Sequence, residues 1–176
     1  MEVRDALLTR RSVRSYKPEQ ITKDELDYVL QAAYAAPNAD SAYNDIQLSV
    51  IQSTEALNDI TEIYRKAVDD ERADPFYGAP TLIVVSALIP ENDPVSYSNA
   101  GCIVENMALA ATDLGLGHVY IYGIFDDLRL RDNHVLDTYL SLFDGKTAIS
   151  GIVLGYPTEK PVRRREPKGI YKTVYL

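Results

Sequence analysis

Three arginines crowd the stretch TRRSVRSY at residues 9–16. Arg10, Arg11 and Arg14 lie within five residues, with the Ser12 hydroxyl among them. Guanidiniums so close repel one another, and burying them without partners would be costly. A phosphate resolves that conflict, because arginine meets its oxygens with forked, charge-assisted hydrogen bonds. An exposed basic turn paired with acidic surface is the competing reading, and composition alone leaves both open. Arg163, Arg164 and Arg165 form a second cluster in the tail. One compact anion held by both clusters would be sound chemistry, although nothing in the sequence shows that they meet.

The remaining reactive residues form no constellation. Gly115 and Gly117 follow a helical pattern, whereas dinucleotide-binding glycines follow a strand and open a helix. There is no GxxxxGK phosphate loop. Cys102, beside Ala100 and Ile103, reads as a small buried hydrophobe with nothing to activate it. His118 precedes a strand and His134 lies in a charged helical stretch, neither in a Ser or Cys arrangement that resembles a triad. Glu105 stands among apolar helix positions, where an outward-facing acid is the commoner case. One cysteine and two histidines leave no basis for a cysteine-only or histidine-rich metal centre. Any chemistry is then borrowed from a cofactor.

The elements that would position these residues are written in local patterns. A short helix over 2–8 leads into the arginines. Thr22 followed by Glu25 fits a capping box for a helix over 23–35, which must stop before Pro37. The polar segment 37–45 is a loop feeding a strand in which Ile46, Leu48 and Val50 alternate with Gln47 and Ser49. Leu57, Ile60, Tyr64 and Val68 mark a helix over 55–69. TLIVVSAL at 81–88 is apolar without alternation, the mark of a strand covered on both faces. The longest helix is expected over 97–115, closed by Gly115 and Gly117. A strand at 118–122, a helix over 127–140 and a final strand at 149–156 complete the series. Helices alternating with at least four strands predict a two- or three-layer arrangement of helices on one mixed sheet.

Length and charge bound the rest. The chain has 176 residues, with 18 Lys or Arg against 26 Asp or Glu and a net charge of -8, which suits one compact domain over 1–176. Residues 1–20 carry net +2, residues 158–176 net +4, and the stretch between them net -14. An acidic body with no extended basic stripe argues against a nucleic-acid partner. The apolar run at 82–89 falls far short of the roughly 20 residues that cross a bilayer. The opening MEVRDALLTRR has no apolar signal-peptide core, so a soluble, cytoplasmic protein is expected. Val174, Tyr175 and Leu176 at the end of the tail are apolar enough to want a surface, such as that of a second subunit.

In order along the chain, RRSVRSY at 10–16, AAYAAPN at 32–38, GAPTLIVV at 78–85, SNAGCIVENMALAATDLGLG at 98–117 and ISGIVLGYP at 149–157 resemble the FMN-dependent nitroreductase family. The resemblance spans nearly the whole chain. It implies an α+β fold with a mixed central sheet flanked by helices, and a homodimer with an exchanged C-terminal tail and two FMN at the interface. It implies an NAD(P)H oxidoreductase that passes hydride through flavin N5 to nitroaromatic, quinone or similar electron-poor acceptors, with NADH or NADPH as co-substrate. The alternatives are a family member with different redox chemistry (oxidation, dehalogenation or flavin cleavage) or a non-catalytic flavin-binding dimer.

Carried over onto this sequence, the resemblance puts Arg10 and Ser12 on the phosphate and Arg11 near the phosphate and ribityl chain. Arg14 falls at the pyrimidine edge of the ring. Arg163 and Arg165 would complete the phosphate clamp. Tyr122 and Gly123 would face the ring, with the Gly123 N–H as donor to N5, and no acid–base residue is implied. Asn38, Ser41 and Asn44 would come from the partner subunit. That loop departs from the family pattern. It is one residue longer, Asn38 stands where Ser is usual, and Asn44, Asp45 and Ile46 replace Gln-Pro-Trp. Tyr43 and Tyr122 are the nearest aromatic candidates for the substrate pocket.

Overall fold

The structure, a computed structural model, describes residues 1–41, 43–89, 94–130, 135–142, 145–162, 166–167 and 171–176, without the side chains of 40, 128–130, 135, 137 and 138. Among the described residues four strands form one sheet in the order β1-β2-β4-β3: β1 is Ile46–Ile51, β2 Thr81–Ala87, β3 Gly117–Ile121 and β4 Thr147–Gly155. Every strand pairing is antiparallel. The parallel component of the sheet is an isolated bridge between Ser12 and His118 at the β3 edge.

The helices are α1 (Val3–Thr9), α2 (Lys23–Tyr34), α3 (Thr54–Val68), α4 (Val95–Asp113), α5 (Gly123–Leu130) and α6 (Val135–Leu140). Pleat alternation divides the core between the two faces of the sheet. Ile83, Val85, Ile152 and Leu154 meet Val29 and Ala33 of α2 and Val104, Met107 and Ala111 of α4. Leu82, Val84, Val119, Ile121 and Val153 meet Leu57 and Ile60 of α3, Ile124 and Phe125 of α5, and Leu136 and Leu140 of α6. This three-layer packing is why β2 is buried at all seven positions and shows no polar face. Each such side chain contributes roughly 1.5–3 kcal/mol by leaving water.

The local signals operate as read. The Thr22 hydroxyl accepts from Glu25 N–H at 3.3 Å, while the Glu25 carboxylate accepts from Thr22 N–H at 2.8 Å. Two expectations need correction. Within the helix expected over 127–140 the structure describes α5 and α6 and not residues 131–134, and α5 starts earlier than expected, at Gly123, directly after β3. A glycine start conceals that boundary, since glycine is a poor helix former. Asp126 belongs to the first turn of α5, where its charge complements the helix dipole. Cys102 is exposed rather than buried. It shares with Ser98 and Glu105 the side of α4 turned away from the sheet.

Two close approaches set the edge where the arginines lie. A Cβ at Gly117 would come within 3.0 Å of Val13 and Tyr16, and one at Gly155 within 2.8 Å of Pro80 and 3.0 Å of Tyr16. The bare backbone at both positions lets residues 13–16 settle against the sheet. Gly155→Ala is expected to cost about 1–3 kcal/mol through this overpacking. Urea unfolding checks it; an unchanged midpoint would show that the contact yields freely.

Candidate functional site

Segment 10–17 is pinned between the end of α1 and the ends of β3 and β4. Arg10 N–H donates to Ala6 O at 2.8 Å, after which the backbone turns extended. Val13 N–H donates to His118 O at 2.8 Å, Lys17 N–H to Tyr156 O at 2.8 Å, and Thr158 N–H to Ser15 O at 3.2 Å. The Tyr16 hydroxyl closes the segment by donating to Val13 O at 2.7 Å. Burial pushes the Tyr16 phenol well above its ordinary pKa, so it remains an un-ionised donor.

Alternation along this segment separates the arginines. Arg10 reaches α4, where its Nε lies 3.2 Å from Glu105 Oε1. Ser12 and Arg14 are exposed, and the Arg14 guanidinium stands 5.5 Å over the Tyr77 ring. Arg11 instead lines a cavity of about 350 Å³ with Thr112, Leu116, His118, Tyr156 and Lys160. The three arginines therefore have different neighbours, with Arg11 turned to the other side of the segment from Ser12 and Arg14. Arg163 and Arg165, expected to join them, lie outside the described residues, as does His134.

The parallel bridge runs the segment along β3 in the direction of Tyr122 and Gly123, both exposed. Gly123 opens α5, so its N–H is one of the first-turn donors that the helix itself does not use. A Cβ built on Gly123 would meet nothing within 4 Å. Cation, hydroxyl, backbone donor and open space thus fall along one edge of the sheet.

His118, 2% exposed, sits behind segment 10–17. The Thr112 hydroxyl donates to Ala108 O at 2.8 Å and so accepts from His118 Nε2, 3.1 Å away. Burial, helped by the nearby Arg10 charge, holds the imidazole down to about 4, leaving it neutral at pH 7.

The loop 38–45 forms two short 3-10 turns, Ala39–Ser41 and Tyr43–Asp45, with Ser41 in the left-handed region at φ 56. Ser41, Tyr43 and Asn44 are exposed. The loop is fastened to α4 through Asn99, which sequence reasoning did not single out. Its Nδ2 donates to Asn38 Oδ1 at 2.7 Å, and its Oδ1 accepts from Ala39 N–H at 3.1 Å. Asn99 lies six residues before Glu105, about 9 Å along the helix from the anchor of Arg10. Beside the loop, Tyr34, Ala36, Asn38, Tyr43, Ile46 and Ile103 line an open, mostly apolar groove of about 260 Å³. Among the described residues no group of His, Cys, Asp and Glu is placed to hold a metal, and no helix is long and apolar enough to cross a membrane.

The helix-flanked sheet is shared with known proteins. The family model described as the Nitroreductase family matches residues 7–156, and the chain belongs to that family. A protein of Methanothermobacter thermautotrophicus, provisionally named an NADH dehydrogenase/NAD(P)H nitroreductase, is 29% identical over 170 residues, covering 93% of this chain and 82% of its own. The NADPH-flavin oxidoreductase of Vibrio harveyi is 26% identical over 172 residues, covering 93% and 69% respectively. The crystal structure of a Bacteroides fragilis nitroreductase with bound FMN superposes with a TM-score of 0.84 at 25% identity, covering 99% of this chain and 100% of that one.

Proposed function

We propose that this chain is the subunit of a homodimeric, cytoplasmic, FMN-dependent NAD(P)H oxidoreductase that reduces electron-poor acceptors such as nitroaromatics and quinones. The observation that carries this reading is the set Arg10, Ser12 and Arg14, the last two exposed, on a segment bridged to β3, the strand that leads into α5 at Gly123, in a chain of this family. The donor set fits FMN. Arg10 and Ser12 supply charge-assisted and hydroxyl hydrogen bonds for a phosphate, and the bare Gly123 leaves room for a planar ring. Bound FMN supplies acceptance of a hydride from a nicotinamide and its delivery to a second substrate.

The chain's own residues hold and bias. Arg14 provides a fixed positive charge that favours the negative charge brought by reduction, an electrostatic role that moves no proton. The Gly123 N–H is an oriented donor on a rigid helix start. Arg163 and Arg165 complete the phosphate clamp, and Ser41 and Asn44 approach from the second subunit. His118 is already bonded to Thr112 and held neutral behind segment 10–17, so it serves packing rather than proton transfer. The second subunit also gives the tail a surface, since Tyr171, Val174, Tyr175 and Leu176 are all exposed in the single chain. Burying them would contribute roughly 25 cal/mol per Å² of apolar area.

Gel filtration after incubation with FMN or with riboflavin tests the reading. The expected result is a dimer that carries FMN through the column, one per chain, and loses riboflavin, which lacks the phosphate. A folded protein that releases both, or that keeps riboflavin as firmly as FMN, would contradict the phosphate clamp. Gly123→Val adds a check. It is expected to leave the melting midpoint nearly unchanged, because a Cβ there has no neighbour within 4 Å, and to weaken FMN binding by about tenfold or more through loss of that space.

A further inference from the structure

The polar loop between α2 and β1 has few apolar side chains with which to fix its own shape. Its far end is tied by Leu88 N–H to Asp45 O at 3.0 Å. Its near end depends on Asn99, 8% exposed, which uses both halves of its amide on Asn38 and Ala39. We propose that Asn99 is a positioning residue: by gripping Asn38 and Ala39 it aims the exposed Ser41 and Asn44 of each subunit at the FMN bound by the other. The inference rests on the function proposed above. It also changes the part played by Asn38, whose side-chain oxygen faces Asn99, so that Asn38 acts through the shape of the loop. The Asn at 38 and the amide opposite it then belong together, and the lock offsets the extra residue and the left-handed Ser41 in this loop.

Donor and acceptor arithmetic supplies the test. An amide pair accommodates one carboxylate, because the remaining Asn can turn its NH₂ toward it. Asn99→Asp still accepts from Ala39 N–H and takes a second bond from a turned Asn38, while Asn38→Asp accepts from Asn99. With Asp at both positions, two acceptors of like charge face each other. FMN release is followed by recovery of flavin fluorescence, at a fixed interval below the melting midpoint of each variant. Each single variant is expected to release FMN within about twofold of the unaltered protein, and the double variant about tenfold faster or more. Lowering the pH to about 5 should slow release from the double variant alone, as the carboxyl pair takes up one proton and regains a donor.

Additive single and double effects, or a double variant insensitive to pH, would overturn the positioning role. So would flavin loss that merely follows the melting midpoint. An unaltered protein that retains no FMN would refute the cofactor reading and this inference with it, and that failure is visible before any variant is made.

Discussion

Replacing Arg14 by Ala is expected to weaken FMN binding about 100-fold while leaving the fold intact. The side chain is exposed, and its recorded contact is with the Tyr77 ring, worth up to about 1 kcal/mol at such a site. Folding therefore loses little. Binding loses a charge-assisted hydrogen bond of about 1.5–3 kcal/mol at a position that the segment's hydrogen bonds to β3 and β4 hold fixed. Arg14→Lys should recover part of the loss, since it restores the charge without the fork. Arg11→Ala should weaken FMN far less, because Arg11 points into the separate cavity beside Thr112 and Lys160. Fluorescence titration of the three variants, with melting midpoints alongside, measures both sides. Equal losses for Arg11 and Arg14 would mean that the alternation along 10–14 does not sort the arginines as described.

The second large effect is a fall in stability on mild acidification. His118 titrates near 4 when folded against about 6.5 when unfolded. Between those values the unfolded chain binds a proton that the folded one refuses. Stability is full above pH 6.5, declines as pH falls through that window, and has lost about 3 kcal/mol by pH 4. Between pH 7 and 5 the loss is about 2 kcal/mol, a large share of a typical 5–15 kcal/mol. Asp113, held below its ordinary range by hydrogen bonds from the amino terminus and Tyr28, gives up its own contribution only at lower pH. Urea midpoints at pH 7 and 5 isolate the histidine when compared with His118→Gln, which cannot take up the proton. A variant with the same acid dependence would place the responsible group elsewhere.

The fold was legible wherever the chemistry is local. The Thr22–Glu25 box, the stop before Pro37 and the unbroken apolar run of β2 are each contained within a few residues, and each appears as read. The start of α5 was not legible, because the cap position falls on Tyr122, whose side chain is not of a capping type, and the helix opens on a glycine. Cys102 misled because small residues crowd α4 on several sides and blur its apolar stripe. An extended chain sends successive side chains to opposite faces, which turns Arg11 away from Ser12 and toward the cavity beside Thr112. The period of two was there to be used. Nothing local could have shown the pairing of Asn38 with Asn99, 61 residues apart, or that of Arg10 with Glu105. Such bonds are set by how α4 lies against α2 and the sheet, and tertiary packing leaves no spacing in the sequence.

The central claim is that reduced nicotinamide delivers its electrons to a flavin held on the β3 edge. The most direct test is the visible absorption of the FMN-loaded protein under anaerobic conditions, before and after NADH or NADPH is added. Bleaching by at least one of the two nucleotides, with colour restored by a nitroaromatic or a quinone, is the predicted result. Bound flavin that neither nucleotide bleaches would contradict the oxidoreductase reading and leave a flavin-binding protein of other purpose.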